Sequence, residues 1–241
     1  MKVLAINSSP KKEKGNTAFI LNPFLDGMKE AGADVELYYT SDLNINPCHG
    51  DFNCWTRTGG KCGQDDDMTI LDPKMRDADV LVLASPVYCD GVTGPMKVLM
   101  DRTVPQVQPF FEIRDNHTRH PLQENVKKSK IVLVSTCGLW EKDNFDPMLA
   151  HIKAYCRNAN AEFAGALIRP HGGALGPMLE MGMPLKDILD ASKEAGRQLV
   201  IDGKISNDTL NIICRELLPR DVYVQNVNQY FQDLIKEKGK T

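Results

Sequence analysis

The first seventeen residues constrain the fold more than any other part of this chain. An apolar run over 2–6 ends in Asn7-Ser8-Ser9-Pro10, and Gly15-Asn16-Thr17 then begins a helical pattern. This order is typical of a buried parallel strand whose loop delivers an anion to the unpaired N–H groups of a helix N-terminus. The spacing matches neither Gly-x-Gly-x-x-Gly nor Gly-x4-Gly-Lys-Ser/Thr, which argues against a dinucleotide fold and a P-loop. A loop whose hydroxyl residues only cap the helix remains the alternative.

The rest of the chain repeats the alternation of strand and helix. The predicted strands are 2–6, 35–39, 78–84, 131–135 and 162–168, and the predicted helices are 16–32, 68–76, 94–103, 147–158 and 184–202. Runs that are apolar on both faces are typical of parallel strands covered by helices on each side. Five such units predict an α/β fold, a three-layer doubly wound parallel sheet over 1–203. Helical patterns near 210–217 and 222–235 predict a C-terminal helical extension over 204–241.

Composition excludes several classes of protein. With 241 residues and 42% apolar residues, the chain can bury one large core. The net charge is −3, and basic and acidic residues are interspersed except for Lys-rich stretches at 127–130 and at the C-terminus, so the charge gives no indication of nucleic-acid binding. No run approaches the length of a membrane span, and the N-terminus does not resemble a signal peptide. Seven cysteines in a chain of this kind favour reduced thiols or metal ligation, so we expect a soluble, cytoplasmic protein.

Two further loops follow predicted strands and should meet the first loop. In a doubly wound sheet, ligands bind beyond the carboxyl ends of the strands. The segments 85–91 and 135–140 end the third and fourth strands, and each contains a glycine and an aromatic residue. Tyr88 and Trp140 are therefore candidates for contact with a flat heterocycle, although either ring could instead cover the core.

Several motifs together carry a family resemblance over roughly residues 2–140. They are Asn7-Ser8-Ser9-Pro10 with Gly15-Asn16-Thr17, Cys54 and Cys62 followed by Asp65-Asp66-Asp67-Met68, Ser85-Pro86-Val87-Tyr88, and Met96-Lys97 with Asp101-Arg102. In this the chain resembles the flavodoxin-like NAD(P)H-dependent FMN reductases, and within them the branch that includes the iron–sulfur flavoproteins.

The resemblance implies sheet order 2-1-3-4-5 and bound FMN, with its phosphate in the first loop and its ring between the other two. The implied cofactor-binding residues are Ser8, Ser9, Pro10, Lys11, Gly15, Asn16, Thr17, Pro86, Val87, Tyr88, Cys89, Asp90, Gly91, Thr136, Cys137, Gly138 and Trp140.

The implied activity is that of an FMN-dependent oxidoreductase. It would take a hydride from NAD(P)H and pass electrons to a small-molecule acceptor such as a quinone or a flavin, by a ping-pong mechanism and without a catalytic side chain. We also expect a homodimer or homotetramer. A non-catalytic, flavodoxin-like partner-binding protein that has lost FMN is a further alternative. The sequence identifies neither the acceptor nor a preference between NADH and NADPH.

The cysteines between the second and third strands suggest a third alternative, an electron carrier with both FMN and a 4Fe–4S cluster. Cys48, Cys54 and Cys62 are the possible cluster ligands, because each iron of such a cluster requires a thiolate. Asp51 stands where the family pattern has a second cysteine, and carboxylate is a harder and rarer ligand. The same thiols could equally be small apolar groups packed in a long loop.

Three smaller segments yield structural expectations. Carboxylates in 65–67 are expected to cap the following helix. Asp101 and Arg102 are expected to form an ion pair that anchors their helix, with Lys97 at the surface. The glycine- and methionine-rich segment 172–184 could cover a cofactor, dock a partner subunit or close the core.

Overall fold

The computed structural model describes residues 1–238, and its centre is a five-stranded parallel sheet. The sheet strands are β1 (Lys2–Asn7), β2 (Asp34–Tyr39), β3 (Val80–Pro86), β6 (Lys130–Thr136) and β7 (Glu162–Arg169). Their order across the sheet is β2-β1-β3-β6-β7. Each neighbouring pair is parallel. Counted among the sheet strands alone, this order is the predicted 2-1-3-4-5, so the predicted doubly wound fold is confirmed.

Helices cover both faces of the sheet. They are α1 (Asn16–Glu30), α2 (Asn53–Thr56), α3 (Met68–Asp77), α4 (Gly94–Asp101), α5 (Asp146–Asn158), α6 (Leu175–Glu180), α7 (Lys186–Ile201), α8 (Asn207–Ile213) and α9 (Arg220–Lys238). α1 continues through Pro23 and ends where Gly32, at φ +90°, lets the backbone turn. None of the helices within residues 1–238 is long and apolar enough to cross a bilayer.

The sheet separates two apolar cores, and the alternation of strand side chains explains both. Val3 and Ala5 of β1 pack on one side with α1 and α7. Leu4 and Ile6 of the same strand pack on the other side with α3, α4 and α5. Successive strand residues point to opposite faces, so a run that is apolar throughout fills both cores at once.

The segment 172–184 contributes to the first of these cores. Leu175 and Met178 of α6 are buried there, whereas Met181 and Met183 are exposed. Of the three uses considered for this segment, closing the core therefore applies to its first half.

The structure adds the short helices α2 and α6 and a hairpin, and it corrects one boundary. β4 (Glu112–Arg114) and β5 (His117–Arg119) form an unpredicted antiparallel hairpin turning at Asp115 and Asn116, both at positive φ. α8 ends at Ile213 rather than near 217, and there the buried Arg169 guanidinium donates to the carbonyls of Ile213 and Arg215 in place of further helix N–H groups. The predicted division after residue 203 stays a prediction, and residues 239–241 of the predicted extension lie outside the described part.

Candidate functional site

The loop after β1 leaves hydrogen-bond donors free at the start of α1. Gly15 is the N-cap residue and no side chain caps the helix, and within residues 1–238 the N–H groups of Asn16 and Thr17 donate to no protein group. The side chains of Ser9 and Thr17 are nearly buried beside them. A Cβ added at Gly15 would lie 2.4 Å from Ser9 Oγ, so the loop needs glycine there to close around this space. Free N–H groups and the helix dipole together favour an anion.

The loop after β3 is a tight turn that exposes an aromatic ring. Tyr88 and Gly91 exchange both of their backbone hydrogen bonds, at 3.0 and 3.1 Å. Cys89 and Asp90 between them both have positive φ, the geometry of a type I′ turn. The Tyr88 ring is 52% exposed, so it offers a face to a ligand rather than covering the core. Pro86 and Val87 are half-buried where the strand ends.

The loop after β6 contacts the other two at the carboxyl edge of the sheet. Thr136 Oγ1 lies 3.0 Å from Thr17 Oγ1 of α1, and Val87 N donates to Thr136 O. Cys137 is buried, whereas Gly138 is exposed. The structure therefore brings the predicted residues of all three loops to one edge. Pro10 and Lys11 lie at its outer rim, both exposed.

The indole of Trp140 is directed towards the C-terminal extension. Its Nε1 donates to Leu218 O at 3.1 Å, and its ring stacks on His171 at 5.9 Å between centroids. His171 in turn contacts the ring of Tyr223, whose hydroxyl donates to Gly138 O. A side chain of α9 therefore reaches the third loop. Sequence reasoning missed His171 and Tyr223, because no local pattern links either residue to a strand end.

A second candidate site lies in the long segment between β2 and α3. The side chains of Cys48, Cys54 and Cys62 line one cavity of about 310 Å³, together with Asp51 and Arg102. Burial raises the pKa of the Cys54 thiol, and the nearby Cys62 and Cys48 sulfurs raise it further. Within residues 1–238, however, no group of three or more His, Cys, Asp or Glu side chains is arranged to hold a single metal ion.

A buried ion pair supports this second site. Arg102 Nη1 lies 2.5 Å from Asp66 Oδ2, with both side chains almost fully buried, and Arg102 Nη2 donates to Cys62 Sγ at 3.3 Å. Burial alone would raise the pKa of Asp66, but hydrogen bonds from Arg102 and two backbone N–H groups outweigh it and lower the pKa. Arg102 Nε is buried without a partner among residues 1–238. The pair fixes the Arg102 guanidinium beside the cysteine cavity, where one of its nitrogens donates to Cys62 Sγ.

These contacts correct one expectation and refine another. Asp101 and Arg102 do not pair with each other: Asp101 binds Lys97 at the surface, and Arg102 binds Asp66. The carboxylate of Asp66 does accept a hydrogen bond from Met68 N at the start of α3, as expected of a capping group. Its main role is nevertheless to neutralise Arg102.

Residues 1–138 match the family described as NADPH-dependent FMN reductase, which is more than half of the chain. The chain belongs to this family. The predicted resemblance is thereby confirmed, and the three loops of the carboxyl edge lie almost entirely inside the matched segment.

Curated relatives of the chain are iron–sulfur flavoproteins. One from Methanocaldococcus jannaschii is 40% identical over 115 residues, covering 48% of this chain and 58% of the relative. One from Archaeoglobus fulgidus is 39% identical over 103 residues, covering 43% and 49% respectively. The chain thus spans about half the length of the curated relatives it matches.

Solved structures share the fold at low identity. An FMN-dependent NADH-azoreductase from Bacillus anthracis in complex with FMN has a TM-score of 0.59 at 16% identity, covering 83% of this chain and 99% of its own. An NAD(P)H:quinone oxidoreductase from Methanothermobacter marburgensis has a TM-score of 0.58 at 16% identity, covering 83% and 96%. These likenesses establish the flavodoxin-like fold.

The residues at the carboxyl edge fit FMN. The free N–H groups of Asn16 and Thr17 suit its phosphate, and the space that a Cβ at Gly15 would fill lies beside them. Asn7 Nδ2 is a buried donor without a partner among residues 1–238, at the end of β1. A buried donor is costly to leave unpaired, so an incoming acceptor would stabilise this strand end.

The cysteine cavity has donors suited to a cluster rather than to one ion. Each thiolate of an iron–sulfur cluster binds a different iron, so the ligands stand around the cluster instead of converging on one point. Three thiols and one carboxylate around a single cavity agree with that arrangement. The donor set contains three sulfurs where such clusters ordinarily have four.

Proposed function

We propose that this chain is an FMN-dependent oxidoreductase that takes a hydride from NAD(P)H and passes electrons to a small-molecule acceptor such as a quinone or a flavin. The observation that carries the proposal is the convergence of three strand-end loops on one edge of the sheet, with free donors at α1 and an exposed aromatic ring at Tyr88. Family membership supports the same conclusion.

Each loop has a separate task in this mechanism. Ser9, Asn16 and Thr17 bind the phosphate through hydroxyl and backbone N–H groups, assisted by the dipole of α1. The turn at Tyr88–Gly91 and the loop at Thr136–Gly138 orient the flavin ring and leave one face open. Bound FMN supplies the redox chemistry, accepting a hydride and releasing electrons. No side chain of this chain needs to donate or accept a proton for hydride transfer.

The phosphate assignment is tested by Ser9→Ala. The hydroxyl of Ser9 has no hydrogen-bond partner among residues 1–238, so its removal costs the folded protein little. Loss of a hydrogen bond to a charged phosphate is expected to raise the dissociation constant for FMN by about tenfold or more. Fluorescence titration of the FMN-free protein measures this constant. Thr69→Ala, whose hydroxyl bonds within the α3 turn far from this edge, serves as the control.

Equal FMN dissociation constants for Ser9→Ala, Thr69→Ala and wild type would contradict the phosphate assignment.

Initial-rate kinetics test whether the mechanism is ping-pong or sequential. Parallel lines in a double-reciprocal plot are expected for a ping-pong mechanism, because both substrates use the same open face in turn. Intersecting lines would count against it. A wild-type chain that takes up no FMN would instead favour the non-catalytic, partner-binding alternative.

A second candidate is an electron carrier that also holds an iron–sulfur cluster. One observation favours it: Cys48, Cys54 and Cys62 line a single cavity beside the Arg102 guanidinium, which already donates a hydrogen bond to Cys62 Sγ and could do the same to a cluster thiolate. Relatives named iron–sulfur flavoproteins point the same way. Iron and acid-labile sulfide determined on anaerobically purified protein decide between the candidates. A visible spectrum with flavin bands, from a sample without stoichiometric iron, would favour the reductase that has FMN and no cluster.

Both candidates are expected to act as a homodimer or homotetramer. Cytoplasmic location also stays a prediction from the sequence.

A further inference from the structure

The carbonyl groups of three successive residues in the loop after β6 are all occupied. Cys137 O accepts from Gly172 N at 2.9 Å, and Leu139 O accepts from His171 N at 2.7 Å. Between them, Gly138 O accepts from the Tyr223 hydroxyl at 2.5 Å. Two of these donors lie directly after β7, and the third belongs to α9. Segments that follow this loop in the sequence therefore hold it in place through its carbonyl groups.

The N–H groups of the same residues leave one donor free. Cys137 N donates to Arg169 O at 3.1 Å, and Leu139 N donates to Cys137 Sγ at 3.3 Å. Gly138 N donates to no group among residues 1–238. Gly138 is exposed, and nothing lies within 4 Å of where its Cβ would be. Among residues 137–139, only the Gly138 N–H is therefore without a partner in the described part of the chain.

Two hydrogen bonds fix the conformation at Gly138. Gly172 N holds the peptide plane before its Cα, and the Tyr223 hydroxyl holds the plane after it. Glycine has more backbone freedom than any other residue, so this loop depends on such restraints. In the second plane Leu139 N also donates to Cys137 Sγ, so Tyr223 adds to this local bond a restraint from outside the loop.

Tyr223 is suited to this task by its position. Its side chain is buried, although most of α9 is exposed. A Cβ added at Gly173 would lie 3.9 Å from both Tyr223 Oη and Asn16 Nδ2, so the hydroxyl stands near the start of α1 as well. It also lies far beyond residues 1–138, the segment that matches the family.

We propose that Tyr223 is a positioning residue for the FMN site: by binding Gly138 O, its hydroxyl holds the loop after β6 in the place from which the Gly138 N–H can reach the flavin ring. The inference rests on the proposed function, because it takes this edge of the sheet as the FMN site. It assigns a role in cofactor binding to the C-terminal extension.

The test is Tyr223→Phe, which removes the hydroxyl and keeps the ring against His171. Loss of one neutral hydrogen bond is expected to raise the FMN dissociation constant about fivefold. The visible circular dichroism of bound FMN is expected to change as well, because the donor at Gly138 shifts relative to the ring. Tyr230→Phe is the matched control, since Tyr230 lies on the same helix with 60% of its surface exposed.

The wild-type titration separates the two proposals. If Tyr223→Phe matches Tyr230→Phe in both FMN affinity and visible circular dichroism, the inference is wrong while the proposed function stands. A lower unfolding free energy of the FMN-free variant, with unchanged FMN affinity and spectrum, would overturn it in favour of a purely structural hydroxyl. If the wild-type chain itself binds no FMN, both the proposed function and this inference are wrong.

Discussion

At the scale of single residues, His171 is held as a neutral imidazole. Its Nε2 accepts from Leu217 N at 3.0 Å and lies 3.1 Å from Arg169 Nη2, so two donors point at this nitrogen. The ring proton therefore belongs on Nδ1, which lies 3.4 Å from Trp140 O. Burial lowers the pKa of His171 to about 4, and the Arg169 cation acts in the same direction.

This imidazole makes the stability of the protein depend on pH. A pKa of about 4 in the folded state, below the ordinary 6.5, means that the unfolded chain binds more protons between these two values. The contribution of His171 is therefore complete above pH 6.5 and is lost as the pH falls towards 4. From pH 7 to pH 5 we expect the free energy of unfolding to fall by about 2 kcal/mol from this residue.

Urea unfolding at pH 7 and pH 5 measures that loss. In His171→Gln the difference between the two pH values should shrink by about the same amount, because the titrating group is gone. His117→Gln, at an exposed position of the β4–β5 hairpin, should keep the wild-type difference. An unchanged pH dependence in His171→Gln would contradict the expectation.

Single residues also show where sequence reasoning works and where it stops. The strand–loop–helix connection that contains Ser9, Gly15 and Thr17 was predictable, because it is a local pattern between one strand and one helix; its role in phosphate binding stays a prediction. Tyr223 and His171 were not, since their partners lie far away in the chain and meet only after folding. For the same reason Arg102 was assigned to its neighbour Asp101, whereas its charge is neutralised by Asp66.

At the scale of elements, α1 and α7 cross at unusually close range. A Cβ added at Gly196 would lie 2.0 Å from Phe24 O, and one added at Gly27 would lie 1.8 Å from Lys193 O. The two backbones therefore touch where each helix carries a glycine. Alanine would ordinarily stabilise a helix by about 1 kcal/mol relative to glycine. Here the contact outweighs that preference.

Gly196→Ala is expected to lower the free energy of unfolding by about 3 kcal/mol, because the helices must separate to admit the methyl group. Gly94→Ala is the control, as nothing lies within 4 Å of its Cβ position at the start of α4. Thermal or urea unfolding compares the two. A Gly196→Ala protein as stable as the Gly94→Ala protein would show that the crossing can relax.

The elements of the sheet were predictable from hydrophobic patterning, and most boundaries fell within two or three residues. Strands buried on both faces and long amphipathic helices leave strong signals. The hairpin at Glu112–Arg119 was missed because its strands are short and mostly polar, although Asp115-Asn116 is a recognisable turn pair. The end of α8 depends on Arg169, which no local pattern indicates.

At the scale of the whole molecule, α9 leaves apolar side chains uncovered. Val224, Phe231 and Ile235 are about half exposed or more, and their spacing of seven and four residues places them on one side of the helix. We expect a second copy of this chain to cover part of this face, in keeping with the predicted homo-oligomer.

Replacing Phe231 and Ile235 by glutamate is expected to weaken self-association, raising the dissociation constant at least tenfold, because burial of large apolar side chains is lost. Sedimentation velocity over a range of concentrations measures this. A double variant at the exposed polar positions Gln225 and Asn226, which lie off this face of the same helix, also to glutamate, controls for added charge. Identical sedimentation of both variants and wild type would place the subunit contact elsewhere.

The hydrogen bond from Tyr223 to Gly138 also has a consequence for biosynthesis. The last strand of the sheet, β7, ends at Arg169, so all five sheet strands leave the ribosome well before α9 is translated. Chains fold progressively as they emerge, so the parallel sheet can assemble while the loop after β6 still lacks its restraint. The loop after β6 would then receive its restraint from Tyr223 only once α9 has been translated, and nascent chains released before that point would carry the sheet with this loop unrestrained by α9.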